Sequence, residues 1–362
     1  MMRNETLTRW LDQHSTLWIF IIPLFVAAIF VDLFASSLIV SIYTYFLINL
    51  MMVVGLQIFM GNSGVLAWTH VGFVGIGAFA SAILSTPPDV KAMGVPNMYP
   101  FLVQIQMPVL PALLIGGVAA ALIAALIAWP LMRLSDAAGV ITIFATLIVI
   151  HVVMTQWDNV TNGPRTFFGV PFYTTVWIAL IGAVIVLVIA HFFRDSSLGL
   201  RLRATRDDRY AASAVGINIV KVRYLSFVLS ALTAGVAGGI WAHFITSFSP
   251  ASFYITETFF LLTMLVIGGA GSVSGAVLGA VAVTLVRELL RQVEGSLNNA
   301  GFVSMEFFGL TEIVLAIFVI AVLIWRPGGI TGGREITLPL FGGRRRARAS
   351  QNLKGEDQSR VP

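Results

Sequence analysis

The sequence predicts an all-α polytopic membrane protein of about ten transmembrane or re-entrant helices, with both termini in the cytoplasm. Three observations lead there. Hydrophobic residues make up 57% of the 362-residue chain and charged residues only 11%, against roughly 45–50% and 25% in soluble globular proteins. The apolar residues fall in successive runs near the length of about 20 needed to cross ~30 Å of hydrocarbon. Lys and Arg crowd into alternate loops, the asymmetry that orients spans in a membrane.

The first run, Leu17 to Phe34, follows Arg3 and Arg9. It lacks a small-x-small cleavage site and a second long run follows at once, so it reads as an uncleaved span. The succeeding runs are Leu38 to Met60, Val65 to Leu84, Val109 to Leu131, Val140 to Met154, Val176 to Phe193, Tyr224 to Ile245, Thr258 to Ile267, Val273 to Leu290 and Leu310 to Trp325. The Val65 and Thr258 runs are short or glycine-interrupted, which suits either a span or a re-entrant segment buried against other helices.

An even number of crossings places Arg3, Arg9, Arg133, the cluster from Arg194 to Arg223, Arg326 and Arg344 to Arg348 on one side. That side is expected to be cytoplasmic. The loops opposite carry only Lys91 and Arg165. The chain therefore divides into a cytoplasmic N-terminus (1–16), a transmembrane domain (17–326) with a cytoplasmic loop at 194–223, and a basic tail (327–362). The tail is polar and glycine-rich, and is expected to be disordered. Its arginines read as a topology determinant ahead of a site for anionic lipid, although membrane lipid must surround the spans.

The absence of cysteine rules out disulfides, thiolate metal sites and a cysteine nucleophile. A pI near 9.8 does not point to nucleic acid, because the basic residues flank the apolar runs. No GxxxxGK[ST] loop occurs, so any ATP drive must come from a partner. His14, His70, His151, His191 and His243 are scattered, and no carboxylates join them at ligand or acid–base spacing. Neither metal, cofactor nor catalytic residue is expected. Asp32, Glu257, Glu306 and Glu312 fall near span ends. Glu288 lies deeper, with Arg291 three residues on, and a local ion pair is expected.

Glycines mark helix contacts and one candidate path. Gly271, Gly275 and Gly279 recur every four residues, which reads as a close-packing seam and not as a dinucleotide fingerprint. Gly72, Gly75 and Gly77, and then Gly235, Gly238 and Gly239, read the same way. Gly61-Asn62-Ser63-Gly64 interrupts two apolar runs, so its backbone must find a neighbour, water or a passing solute. Asn62, Ser63, Thr69 and His70 are the translocation-path candidates, with structural hydrogen bonding weighed ahead of solute contact for His70.

The loop from Arg194 to Arg223 is long and charged. Thr205-Arg206-Asp207-Asp208 reads as a helix start in which the threonine caps and the acids favour the positive end. Ala211 to Val215 continues as a short helix that Gly216 stops. Small-faced and rimmed by arginine, it is a candidate docking surface for a soluble partner.

The stretch from Gly199 to Asp208, then Ala211-Ala212-Ser213-Ala214-Val215-Gly216-Ile217, resembles the cytoplasmic loop of LivM-type permeases of branched-chain amino acid ABC importers. Ser249-Pro250, Gly268-Gly269-Ala270-Gly271-Ser272, Leu278-Gly279-Ala280 and Arg326-Pro327-Gly328-Gly329-Ile330 are similar to that family in order and spacing. So are Gly61 to Gly64, His70 to Gly77, and Asn162-Gly163-Pro164. The resemblance covers roughly residues 38 to 332. It implies a heteromeric complex with a second, related permease, two ATPase subunits and an extracytoplasmic substrate-binding protein. It also implies that Ala211, Ala212 and Gly216 form a coupling helix seated on an ATPase, with Arg203, Arg206, Asp207 and Asp208 beside it. Arg209 and Ser213 depart from the family pattern, and Asn62 with Trp68-Thr69 does too, so the solute is a branched-chain amino acid or a related small polar molecule such as urea, an amide or an aromatic acid. The rival is a self-sufficient secondary carrier or channel. A carrier usually builds its ion site from midplane carboxylates, which are nearly absent here.

Overall fold

A computed structural model describes residues 15–134, 136–299, 310–326 and 328–336. Its helices are α1 (Ser15–Phe34), α2 (Ser37–Leu56, prolonged by a π-helical turn at Gln57–Gly61), α3 (His70–Ser85), α4 (Val109–Leu131), α5 (Asp136–Gln156), α6 (Val176–Asp195), α7 (Ser197–Asp207), α8 (Arg209–Ala214), α9 (Ile219–Ile245), α10 (Ile255–Gly268), α11 (Val273–Asn299) and α12 (Leu310–Trp325), with three further short helical segments and a 3₁₀ turn in the loops. Among the described residues, eight helical segments are long and apolar enough to cross a membrane. The protein is an all-α polytopic membrane protein.

The two doubtful runs resolve differently. The Thr258 run begins earlier than its apolar stretch, because the 3₁₀ turn Pro250–Phe253 leads into α10 and together they make a 19-residue segment. The Val65 run contracts instead: residues 65–69 are not helical and α3 starts only at His70. Its 16 residues reach about 24 Å at 1.5 Å per residue, short of the hydrocarbon thickness. Neighbouring helices bury it on nearly all sides.

Small residues set the centre of the bundle. α9 packs against α3, α4 and α2, and a side chain at Gly77 would overlap the Gly235 carbonyl, as one at Gly238 would overlap that of Val74. On α4, a Cβ at Gly116 would stand 2.7 Å from the Gly77 carbonyl and one at Gly117 2.5 Å from Val236. Three helices thus approach backbone to backbone, gaining dispersion contacts that lipid cannot supply. α1 shows the opposite pattern: Phe25, Val26, Phe30 and Leu33 are exposed, which suits a helix facing hydrocarbon. It is tied to α6 where Trp177 Nε1 donates to Asp32 Oδ2 at 3.0 Å.

The loops gather at two ends. At one end, Phe167 and Phe248 exchange backbone hydrogen bonds of 2.8 and 3.0 Å, and their rings pack with Phe79, Trp241 and Phe253. At the other end meet Gly61–Gly64, the α6–α9 loop, residues 269–272 and residues 328–336. This last segment departs from the disorder expected after 327. Ile330 N–H donates to Ile267 O at 2.8 Å, Thr331 Oγ1 donates to Gly268 O at 3.0 Å, and the Glu335 carboxylate caps α11. The glycines of this segment close a tight turn, with Gly329, Gly332 and Gly333 at positive φ. Residues 337–362, with the arginines at 344–348, lie outside the described residues, as do residues 1–14, residue 327 and residues 300–309 with Glu306.

Candidate functional site

The charged loop folds as two helices set end to end. α7 starts at Ser196, whose hydroxyl accepts the Gly199 N–H at 3.1 Å, and its basic character fits a helix lying outside the spans. Thr205 is not a cap. It sits inside α7, buried, with its hydroxyl donating to Leu202 O at 2.7 Å. The cap is Asp208, in extended conformation, whose Oδ1 accepts from Tyr210 N–H at 2.8 Å and Ala211 N–H at 2.9 Å. An aspartate satisfies a first-turn donor as well as threonine does, so the sequence signal was present but read three residues early.

α8 is short and two-sided. Ala212 is buried against the rest of the chain, at 3% exposure, whereas Tyr210 and Val215 are 87% and 76% exposed. Ala211, Ser213 and Ala214 are exposed too. Gly216 ends the helix at φ +81, with its N–H on Ser213 O at 3.0 Å. Nothing stands within 4 Å of a Cβ built there, so the glycine answers to backbone conformation alone.

The arginines of α7 tie this loop to the bundle. Arg206 Nη1 donates to Gly61 O, at the end of the π turn, at 2.7 Å. Arg203 Nη2 donates to Arg194 O at 3.0 Å, and its pKa is held below the usual arginine value, first by burial and then by the neighbouring Arg194 charge. Asp207 is exposed at the end of α7. Ser63, Gly64, Val65, Val140, Thr205, Arg206, Arg209 and Arg223 line a polar cavity of about 500 Å³ between the loop and the bundle.

Of the path candidates, only Ser63 reaches that cavity. Its hydroxyl accepts the Val65 N–H at 3.1 Å. Asn62 is fully buried and donates to Gln57 O and Ile58 O, closing the π turn on its own helix. His70 Nε2 lies 2.9 Å from Met52 O and its Nδ1 3.3 Å from Ser230 Oγ, so both ring nitrogens are engaged between α2, α3 and α9. Thr69 is buried beside it at the start of α3. The Asn62 Oδ1 and Thr69 Oγ1 atoms are buried without a hydrogen-bond partner.

The seam glycines also separate. Gly275 and Gly279 lie on α11, where a side chain would overlap the Gly269 and Met264 carbonyls respectively. Gly271 precedes the helix in the turn, facing Gly333 and Arg206. The four-residue repeat thus runs through a turn and one helix, and not along a single helix face.

Residues 38–325 match the family model described as the branched-chain amino acid transport system / permease component. The chain belongs to this family. Among curated members of this permease family, the chain is 26% identical over 347 residues to the high-affinity branched-chain amino acid transport system permease protein LivM of Escherichia coli K12, covering 86% of this chain and 74% of the relative. The similarly named LivM protein of Salmonella typhimurium is 25% identical over the same span. The E. coli LivH permease protein is 30% identical over 161 residues, 44% of this chain and 47% of that protein. No solved structure matches. The family and the apolar helices make the chain a multi-pass permease component of the cytoplasmic membrane.

Proposed function

We propose that this chain is one of two related permease subunits of an ATP-driven importer for branched-chain amino acids or a related small polar solute. It forms half of the translocation path and takes its drive through α8. Two ATPase subunits and an extracytoplasmic substrate-binding protein complete the complex. The observation that carries this reading is the build of α8: a helix pinned by the Asp208 cap and by buried Ala212, with Tyr210, Ala211, Ala214 and Val215 turned outward and no chemistry of its own. The permease proteins of E. coli and Salmonella bear names that fit it.

On this reading the end holding α7 and α8 is cytoplasmic, as its arginines require. ATPase closure pushes α8. Arg206, held by the Gly61 carbonyl, passes the load to the end of α2, and rigid-body tilting of the spans alternates access. The test is Ala214→Glu in the full complex, which adds a charge on the outward side. ATP-dependent uptake by proteoliposomes and co-purification of the ATPase subunits should both fall, roughly tenfold or more for a charge stranded in an interface, while permease yield holds. Unchanged uptake and ATPase retention would overturn the coupling role and favour a self-sufficient carrier or channel.

A further inference from the structure

The polar cavity of about 500 Å³ under α7 gathers more positive charge than a contact between a loop and a bundle requires. Three arginines line it, each from a different helix: Arg206 from α7, Arg209 from α8 and Arg223 from α9. Ser63, Gly64 and Val65 close it from the backbone that follows the π turn, and Val140 closes it from α5. Among the described residues that line it, none is acidic.

These cations are held in place. Arg206 Nη1 is engaged by the Gly61 carbonyl, and its stem crosses Gly64, where a side chain would stand 3.0 Å from the arginine Cγ. Arg223 is only 5% exposed and Arg209 is half-buried. Both also have contacts with the chain around them. A guanidinium carries five N–H donors in a planar fork, more than one contact uses. Ser63 Oγ accepts the Val65 N–H, which leaves the hydroxyl hydrogen to donate. Val140 and Arg223 each lie in the second turn of their helices. The cavity therefore sits where the spans give way to the polar headgroup region of a bilayer.

We propose that this cavity binds a phosphate group, and that the bound phosphate ties α8 to the ends of α2, α5 and α9. Donors reach the cavity from three helices and from a hydroxyl on the loop, so they suit an anion that offers oxygens in several directions. A tetrahedral phosphate does this. A carboxylate presents two oxygens in one plane, and chloride would leave most of the volume to water. Arginine forks match phosphate oxygens in pairs, and an anion among three guanidiniums relieves their mutual repulsion. Two sources offer the same group at this depth: free phosphate, and the headgroup of an anionic phospholipid. The site is separate from the transported solute and stands whether the chain works in an importer or as a carrier.

Binding is measured on the purified full-length chain in detergent, by thermal melting and calorimetric titration. The probes are inorganic phosphate and dioctanoyl-phosphatidylglycerol, with ionic strength held constant by chloride. At least one should bind saturably and raise the melting temperature, as a ligand selective for the folded state does. Arg209→Gln should weaken that binding about tenfold or more, the scale of a lost hydrogen bond to a charged group. Arg209→Lys keeps the charge without the fork and should fall between. Saturable phosphate binding assigns a free anion to the site. Binding of phosphatidylglycerol that phosphate does not displace, and that phosphatidylcholine does not reproduce, assigns the lipid headgroup. Saturation by neither probe, phosphatidylcholine binding as tightly as phosphatidylglycerol, or wild-type binding in both Arg209→Gln and Arg206→Gln would overturn the site. A second readout needs no variant. Phenylglyoxal modification of Arg206 and Arg209, located by peptide mass spectrometry, should slow when the bound probe is present. Unchanged modification of both would place the binding elsewhere and overturn the assignment.

Discussion

Arg194 in the last turn of α6 meets Glu335 at 3.3 Å, and that carboxylate, only 4% exposed, also accepts the N–H groups of Val273 at 2.6 Å and Ser274 at 2.9 Å and the Ser274 hydroxyl. One side chain thus joins the end of α6, where the α7–α8 loop begins, to the first turn of α11. The placement is physically favourable twice over. An anion sits at the positive end of a helix, and a cation stands beside it.

Glu335→Gln keeps the shape and removes the charge. It should lower stability by about 1–3 kcal/mol, the range for a buried polar group that loses part of its partners. A thermal melt of the detergent-solubilised protein measures this. A melting temperature equal to wild type would mean that the Glu335 charge adds nothing to the fold.

Gly279→Leu should be worse than Gly72→Leu. A side chain at Gly279 meets the Met264 backbone, which cannot move without parting α10 from α11, whereas one at Gly72 meets Ile150 side-chain atoms at 3.2 Å, which can shift. Yield of monodisperse permease from membranes gives the comparison. Equal yields would show that the α10–α11 contact tolerates separation.

Most of the helical frame was legible because a bilayer demands long apolar runs and closed backbone hydrogen bonding. Val109 to Leu131 was bounded to the residue. What periodicity could not register were features owed to neighbours. α3 starts late because residues 65–69 fold into the bundle as non-helical backbone, and apolarity looks the same either way. The helices that start at Ser15, Ser37 and Asp136 begin ahead of their apolar runs, since interfacial residues add little hydropathy. At the site, Gly216 was legible as a stop, because its φ of +81 suits glycine. The inward turn of Ala212 was not, since an alanine on a short helix serves either face. Only the fold brings Tyr45, Phe260 and Glu257 around Arg287.

Lys91 supplies a test on the opposite end. Its Nζ donates to the carbonyls of Ile83 at 3.1 Å, Leu102 at 2.8 Å and Ile105, binding the end of α3 to the loop that follows. Lys91→Met should cost roughly 1–3 kcal/mol by orphaning those carbonyls. Burial holds the lysine pKa below its usual value. The unfolded chain then binds more protons between the folded and unfolded values, so this residue's titration makes stability rise with pH through that window and level off above the unfolded value. Melting temperature against pH should show that rise in wild type, and Lys91→Met should abolish it. A rise that persists in the variant would assign it to another group.

The two faces of α8 give the sharpest contrast, because alanines two residues apart should fail in different ways. Ala212 is packed inside the chain and Ala214 is exposed. Ala212→Glu drives a carboxylate into a contact built for a methyl group, so the permease itself should suffer: burying an unpaired charge is among the few single changes that cost several kcal/mol. Yield and melting temperature should both fall before any partner is added. Ala214→Glu faces outward, where an isolated permease should tolerate it within about 0.5 kcal/mol, as surface changes usually are. Only the assembled importer should register that change, as lost ATPase retention and lost uptake. Measuring the melt of each purified variant alone, and then ATPase co-purification with each, separates the two effects. A normal melt for Ala212→Glu would mean that α8 packs less closely than its 3% exposure implies. Normal retention for Ala214→Glu would remove the outward face of α8 from the coupling interface.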